Sequence, residues 1–190
     1  SMKTEQQYFE EAVSLNEYMD KMGTNKENSQ VIYDQFHVPQ DDEFITLLKE
    51  KSPRILGITE DWCGDAMLNN SIIRRVAEAA DVEVRVVYRD QTLDLMDRYL
   101  TNGGRSIPVY LLLNQQGEVI SKWGPRAPKL QEYVLKLRQD LPNSEDPTFK
   151  DKQKQFIEKI TAEYISTPEY WLWVYENIRK EFTAALQKQS

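Results

Sequence analysis

Apolar residues return along this chain at two spacings, and the switch between them divides it into elements. Over residues 5–22, Phe9, Ala12, Val13, Leu15, Tyr18, Met19 and Met22 stand among acids and amides near a helical period, and Gly23 follows where the pattern stops. The spacing predicts one amphipathic helix. Residues 23–29 are polar and turn-like, and 31–36 fit a short strand or a helical turn. Residues 41–51 predict a helix ahead of Pro53, with Phe44, Ile45, Leu47 and Leu48 facing inward. From Arg54 the character changes. Residues 54–59 hold a short apolar run that suits a buried strand, and 66–80 return to helical spacing through Met67, Ile72, Ile73, Val76 and Ala80. Residues 82–88, rich in Val, predict a second strand, and 94–100 a helix closed by Gly103 and Gly104. After Pro108, residues 109–113 and 118–123 flank a turn at 114–117 and predict an antiparallel hairpin. Leu130, Val134, Leu137 and Leu141 share one face of a helix over 128–141.

The order from Arg54 onward is therefore βαβ, helix, ββ, helix, which predicts one mixed sheet flanked by helices on both sides. Residues 142–147 form a polar linker between two prolines, and two further helices fit 148–165 and 168–187, the second with Thr167 as N-cap and Pro168 at its first position. The expected organisation is a helical extension over 1–40, a core domain over 41–141, and a linker with helical extension over 142–190 packed on that core.

Composition narrows the function. Hydrophobic residues make up 40% of the 190, with four Trp and ten Tyr, enough for a packed core. The formal net charge of −7 disfavours nucleic acid and anionic membranes as partners. No run is long and apolar enough to span a bilayer, and the acidic N-terminus lacks a signal-peptide layout, so a cytoplasmic protein is expected; Ser1 ahead of Met2 reads as a cloning remnant. One cysteine and one histidine exclude a disulfide framework and multi-Cys metal sites, and nothing calls for a metal or other cofactor.

That cysteine carries the chemistry. Asp61, Trp62, Cys63, Gly64, Asp65 and Ala66 lie between the first core strand and the helix after it. A cysteine at a helix N-terminus meets unpaired N–H groups and the positive end of the dipole, which favour thiolate, so Cys63 is expected to be partly exposed and nucleophilic. The plainer reading of a lone cysteine is a small buried hydrophobe.

The motif resembles the thioredoxin superfamily, and specifically bacterial thioredoxin-like proteins with a Trp-Cys-Gly-Asp motif. Trp62, Cys63 and Gly64 match the Trp-Cys-Gly of that superfamily's Trp-Cys-Gly-Pro-Cys, and Ser106, Ile107 and Pro108 match its second signature. The resemblance implies a thioredoxin-like fold with N-terminal and C-terminal helical extensions, and a cis Pro108 bordering the thiol with Ile107. It also marks departures. The second cysteine falls on Ala66, so an intramolecular thiol cannot resolve a mixed disulfide. Proline becomes Asp65, whose charge suits the helix dipole but opposes a neighbouring thiolate. The buried acid six residues before the first cysteine is Gly57. These losses agree with one another, which favours a native monothiol over a cysteine replaced to trap a mixed disulfide.

Remaining residues have plainer readings. Arg126, after Gly124 and Pro125, is expected as a solvated or capping arginine away from the thiol. Glu60 and Asp61 read as a polar loop flank, Arg74, Arg75, Arg85 and Arg89 as surface charge, and His37 as a loop histidine. The stripe of Trp171, Val174, Ile178, Phe182 and Leu186 suits core packing, or a docking face for a partner or a second copy in a homodimer. Three functions compete: one-cysteine thiol-disulfide exchange through Cys63, with a protein disulfide or low-molecular-weight thiol as partner and an external resolving thiol; a non-catalytic binding module using the groove beside Pro108; and, last, a transferase resembling glutathione transferases, for which the C-terminal segment is too short.

Overall fold

Alternation along the strands sets the two faces of the sheet. In the computed structural model, which describes residues 2–189 apart from the side chain of Asp42, strand β4 (Val109–Leu113) sends Tyr110 and Leu112 into one hydrophobic cluster and Val109, Leu111 and Leu113 into another. Strand β2 (Arg54–Thr59) does the same, with Ile55 on the first face and Leu56 and Ile58 on the second. With β1 (Val13–Ser14), β3 (Glu83–Tyr88) and β5 (Val119–Trp123) they form a five-stranded sheet in the order β1-β3-β2-β4-β5. Only β2 and β3 run parallel; the other pairs are antiparallel, so the predicted mixed sheet is what the chain forms.

Helices cover both faces. Helices α1 (Glu5–Glu11) and α6 (Leu93–Met96) bring Tyr8, Phe9, Leu95 and Met96 to the second face. The first face receives α2 (Leu15–Asp20), α3 (Lys26–Gln35), α4 (Asp42–Lys51), α5 (Gly64–Ala80), α7 (Pro128–Arg138), α8 (Phe149–Ser166) and α9 (Pro168–Gln187). Its cluster joins Tyr18 near the start of the chain, Ile72 in the middle and Phe182 near the end, so all three expected segments share one core. The α9 stripe is consumed there: Val174, Ile178 and Phe182 are fully buried, and Trp123 of β5 donates to Asn177 at 2.7 Å.

Three expected elements change. The single helix over 5–22 is broken, because Ala12 is extended, Val13 pairs with Val86 of β3, and Ser14 then caps α2 by accepting from the Glu17 N–H at 3.1 Å. The polar stretch at 23–29 and the ambiguous 31–36 merge into α3, which starts after Asn25 in the left-handed region. The helix expected over 94–100 is shortened to α6, since Arg98 and Tyr99 bond back three residues rather than four and Thr101 pairs with Gly104. Thr167 precedes α9 without a side-chain capping bond.

Candidate functional site

The turn between β2 and α5 holds Cys63 at the N-cap of α5. Its Sγ accepts from the Ala66 N–H at 3.4 Å and its S–H is directed at the Ile107 carbonyl, 3.6 Å away. The Ile107–Pro108 bond is cis, and β4 begins at the next residue. Cys63, Gly64, Ala66, Ile107 and Pro108 therefore lie around one point at the end of the sheet, with Trp62 beside them, 55% exposed.

The thiol itself is only 8% exposed, packed in the cluster that holds Ile58, Ala66 and Ile107. The expected partly exposed, activated thiolate is thus corrected. Burial first, and then the Asp65 carboxylate, push the Cys63 thiol up to about 12, against the pull of the Ala66 and Asp65 N–H groups and Arg126. Desolvating the anion outweighs the helix N-terminus, so the resting group is a protonated thiol.

Asp65 shows why its charge is tolerated. Its Oδ2 is 2.8 Å from Arg126, its Oδ1 accepts from Arg126 Nε at 3.0 Å, and the Tyr164 hydroxyl donates to the same Oδ1 at 2.6 Å. Both side chains of the ion pair are largely buried. Tyr164 belongs to α8, whose Thr161 Oγ1 would lie 3.2 Å from a Cβ placed on Gly64, so α8 covers the turn that holds Cys63. Arg126 was expected far from the thiol. Strand β5 returns antiparallel to β4 with Trp123 opposite Tyr110, which places the residues after it at the Pro108 end. Gly124, at φ 124°, passes so close that a Cβ there would sit 2.2 Å from the Pro108 carbonyl oxygen. The hairpin itself was the signal for Arg126: two antiparallel strands must end where they began.

Further from the thiol, Glu60 accepts from the Asp90 N–H and Asp61 from the Gly23 N–H, both at 3.0 Å, so each ties the turn to a neighbouring loop. His37 is exposed in the loop after α3, and Arg74 and Arg75 stack on Tyr33. Arg89 is more than surface charge, its guanidinium lying 5.2 Å from the Trp62 ring centre. At Gly57, a Cβ would meet Val86 at 3.0 Å and the Tyr110 ring at 3.2 Å. Tyr110 fills the space an acid would take and donates to Asn70 at 2.6 Å, in a buried neutral chain that continues to Thr59 and Tyr18. Gly57→Asp should therefore destabilise the protein by about 3 kcal/mol or more through overpacking and an unpaired buried acid. A urea unfolding midpoint within experimental error of the unmodified chain would show that this space is open.

The thiol faces a groove of about 940 Å³, with Trp62, Arg89, Arg105, Arg126, Leu135 and Arg138 among its walls.

Comparison with known proteins agrees with this architecture. A model of the thioredoxin family Thioredoxin_9 matches residues 12–146. The chain belongs to this thioredoxin family. Among solved structures, a protein of unknown function from Pseudomonas aeruginosa is similar at 14% identity and a TM-score of 0.61, covering 88% of this chain and 98% of that one. An HIV epitope scaffold is similar at 14% identity and a TM-score of 0.58, covering 90% and 98%. At that identity both show the thioredoxin-like fold alone. No curated protein matches. The family match begins before β1, so the short strand and the two helices after it lie within the matched region.

Proposed function

We propose that this thioredoxin-family protein is a binding module that holds an extended segment in the groove beside Pro108, with Cys63 resting as a protonated, helix-capping thiol. The observation that carries this reading is a thiol 8% exposed and pushed up to about 12 at the floor of a broad groove. A nucleophile would need the opposite arrangement. Ala66 is fully buried and Gly57 is closed by Tyr110, so neither a resolving thiol nor its proton acceptor stands nearby.

One observation favours the second reading, one-cysteine exchange: Sγ lies at a helix N-cap within reach of an amide N–H. In that cycle the Cys63 thiolate attacks a disulfide, one sulfur leaves as a thiolate and takes up a proton, and an external thiol then releases Cys63 by attacking the mixed disulfide.

The two separate on a peptide array of extended sequences. Cys63→Ala should bind the same peptides as the unmodified chain, under reducing conditions as well. Loss of binding in Cys63→Ala, or binding confined to cysteine-containing peptides in the absence of reductant, would put exchange first. The pre-reduced unmodified chain should also fail to reduce insulin without added thiol. Pre-reduced Ala66→Cys, which can give up two electrons by closing a disulfide with Cys63, should slowly reduce at most one insulin disulfide per chain, limited by overpacking at a fully buried position.

A further inference from the structure

We propose that the groove selects an acidic extended peptide, with its carboxylates on the arginine walls and an apolar side chain against Trp62; this rests on the binding-module reading and names its ligand class. The charge distribution carries it. In a protein of net charge −7, the groove is lined by four arginines, Arg89, Arg105, Arg126 and Arg138, and Asp65 is the single acid among the described lining residues. Asp65 is spent on Arg126 and Tyr164 inside the wall and offers no free charge to a ligand.

The other three guanidiniums are differently committed. Arg89 pairs with Asp90 at 2.9 Å and also lies over Trp62; Arg105 pairs with Asp97 at 2.8 Å, both side chains about half exposed. The Arg105–Asp97 pair, exposed on both sides, is worth little, so a ligand carboxylate can exchange for Asp97 at small cost. Arg89, its side chain 20% exposed and also donating to the Arg105 carbonyl at 3.1 Å, is instead held in place beside Trp62. Arg138 is exposed on α7, and among the described residues no carboxylate pairs with it. Its guanidinium lies 5.9 Å from the Phe156 ring centre, a contact with the ring face that leaves its in-plane donors to a ligand.

Trp62 and Leu135, 55% and 46% exposed, supply apolar contact in the same groove. An exposed Trp flanked by arginines is the residue combination that dominates binding energy at protein interfaces. A nucleic-acid strand would meet the same arginines but also the repulsion of the acidic body around them.

The test uses the full chain and two fluorescein-labelled peptides, one with glutamates flanking a central leucine and one with glutamines in their place, read by anisotropy at low and moderate salt. The glutamate peptide should bind at least about fivefold tighter and weaken as salt rises. Arg105→Gln and Arg138→Gln, both at exposed positions and checked by thermal melting, should each weaken the glutamate peptide about two- to fivefold and leave the glutamine peptide unchanged. Equal binding of both peptides overturns the acidic selectivity and leaves the groove reading standing. Binding of neither peptide, with no hit on the array of extended sequences, removes the groove reading and this proposal with it. A labelled oligothymidine that binds tighter than the glutamate peptide would overturn the proposal in favour of nucleic acid.

Discussion

A chain ending at Leu141 should be insoluble, or should lose its cooperative melting transition. The reason is the composition of the core. Helix α9 contributes Trp171, Val174, Tyr175, Ile178, Phe182 and Leu186 to the first cluster, and α8 contributes Ile160 and Tyr164. Each large apolar side chain is worth roughly 1.5 to 3 kcal/mol of burial. Together they amount to about 12 to 24 kcal/mol before the entropy of ordering the two helices, as large as the roughly 5 to 15 kcal/mol net by which a whole domain is stable. The loss also strips Tyr164 from Asp65 and Asn177 from Trp123, leaving polar groups without their partners. Expression of the truncated chain followed by calorimetry decides it. A soluble product that melts like the full chain would mean that the two helices serve a partner rather than the core.

The second large effect is chemical. With its thiol pushed up to about 12, Cys63 should react with iodoacetamide at pH 7.5 roughly a hundredfold more slowly than free cysteine. The thiolate fraction falls by more than a thousandfold, and the greater nucleophilicity of a more basic thiolate restores only part of it. The rate should rise about tenfold per pH unit without a plateau through pH 10. The sign on each neighbour follows from its charge. Asp65→Asn removes the anion that opposes ionisation and should lower the thiol's pKa and speed the reaction; Arg126→Gln removes a stabilising cation and should slow it. Because the folded state holds this proton more tightly than the unfolded chain, the contribution to stability is complete below the ordinary thiol range and is lost as pH rises toward about 12. A rate equal to that of free cysteine, levelling off near pH 8, would place exchange ahead of binding.

Local pattern carried much of the fold. The apolar run at 54–59, the helical spacing after Cys63 and the hairpin after Pro108 each depend on neighbours a few residues away, and each forms as the spacing predicts. The break in the first helix depended on a distant partner. Nothing near Ala12 says that the helix must stop; the break is set by Val86, over seventy residues away, which takes Val13 as its pairing partner. At the candidate site, the positions of Cys63 and Pro108 were legible from two short motifs. The burial of the thiol was not, because desolvation depends on Ile58, Ile107 and their packing rather than on the helix end alone. The place of Arg126 is set by the antiparallel return of β5 along β4 and by no motif beside it.

The two residues of β1 settle how the sheet meets other chains on that side. Val13 and Ser14 lie along β3 opposite Val86 and Arg85, and the chain then turns at once into α2. An outer strand with open N–H and C=O groups is a template for another molecule's strand, and here β1 takes the two central positions of β3, Arg85 and Val86, interrupting the open edge while being itself too short to offer a new one. Self-assembly by strand addition is thus discouraged on this flank of the sheet at a cost of two residues.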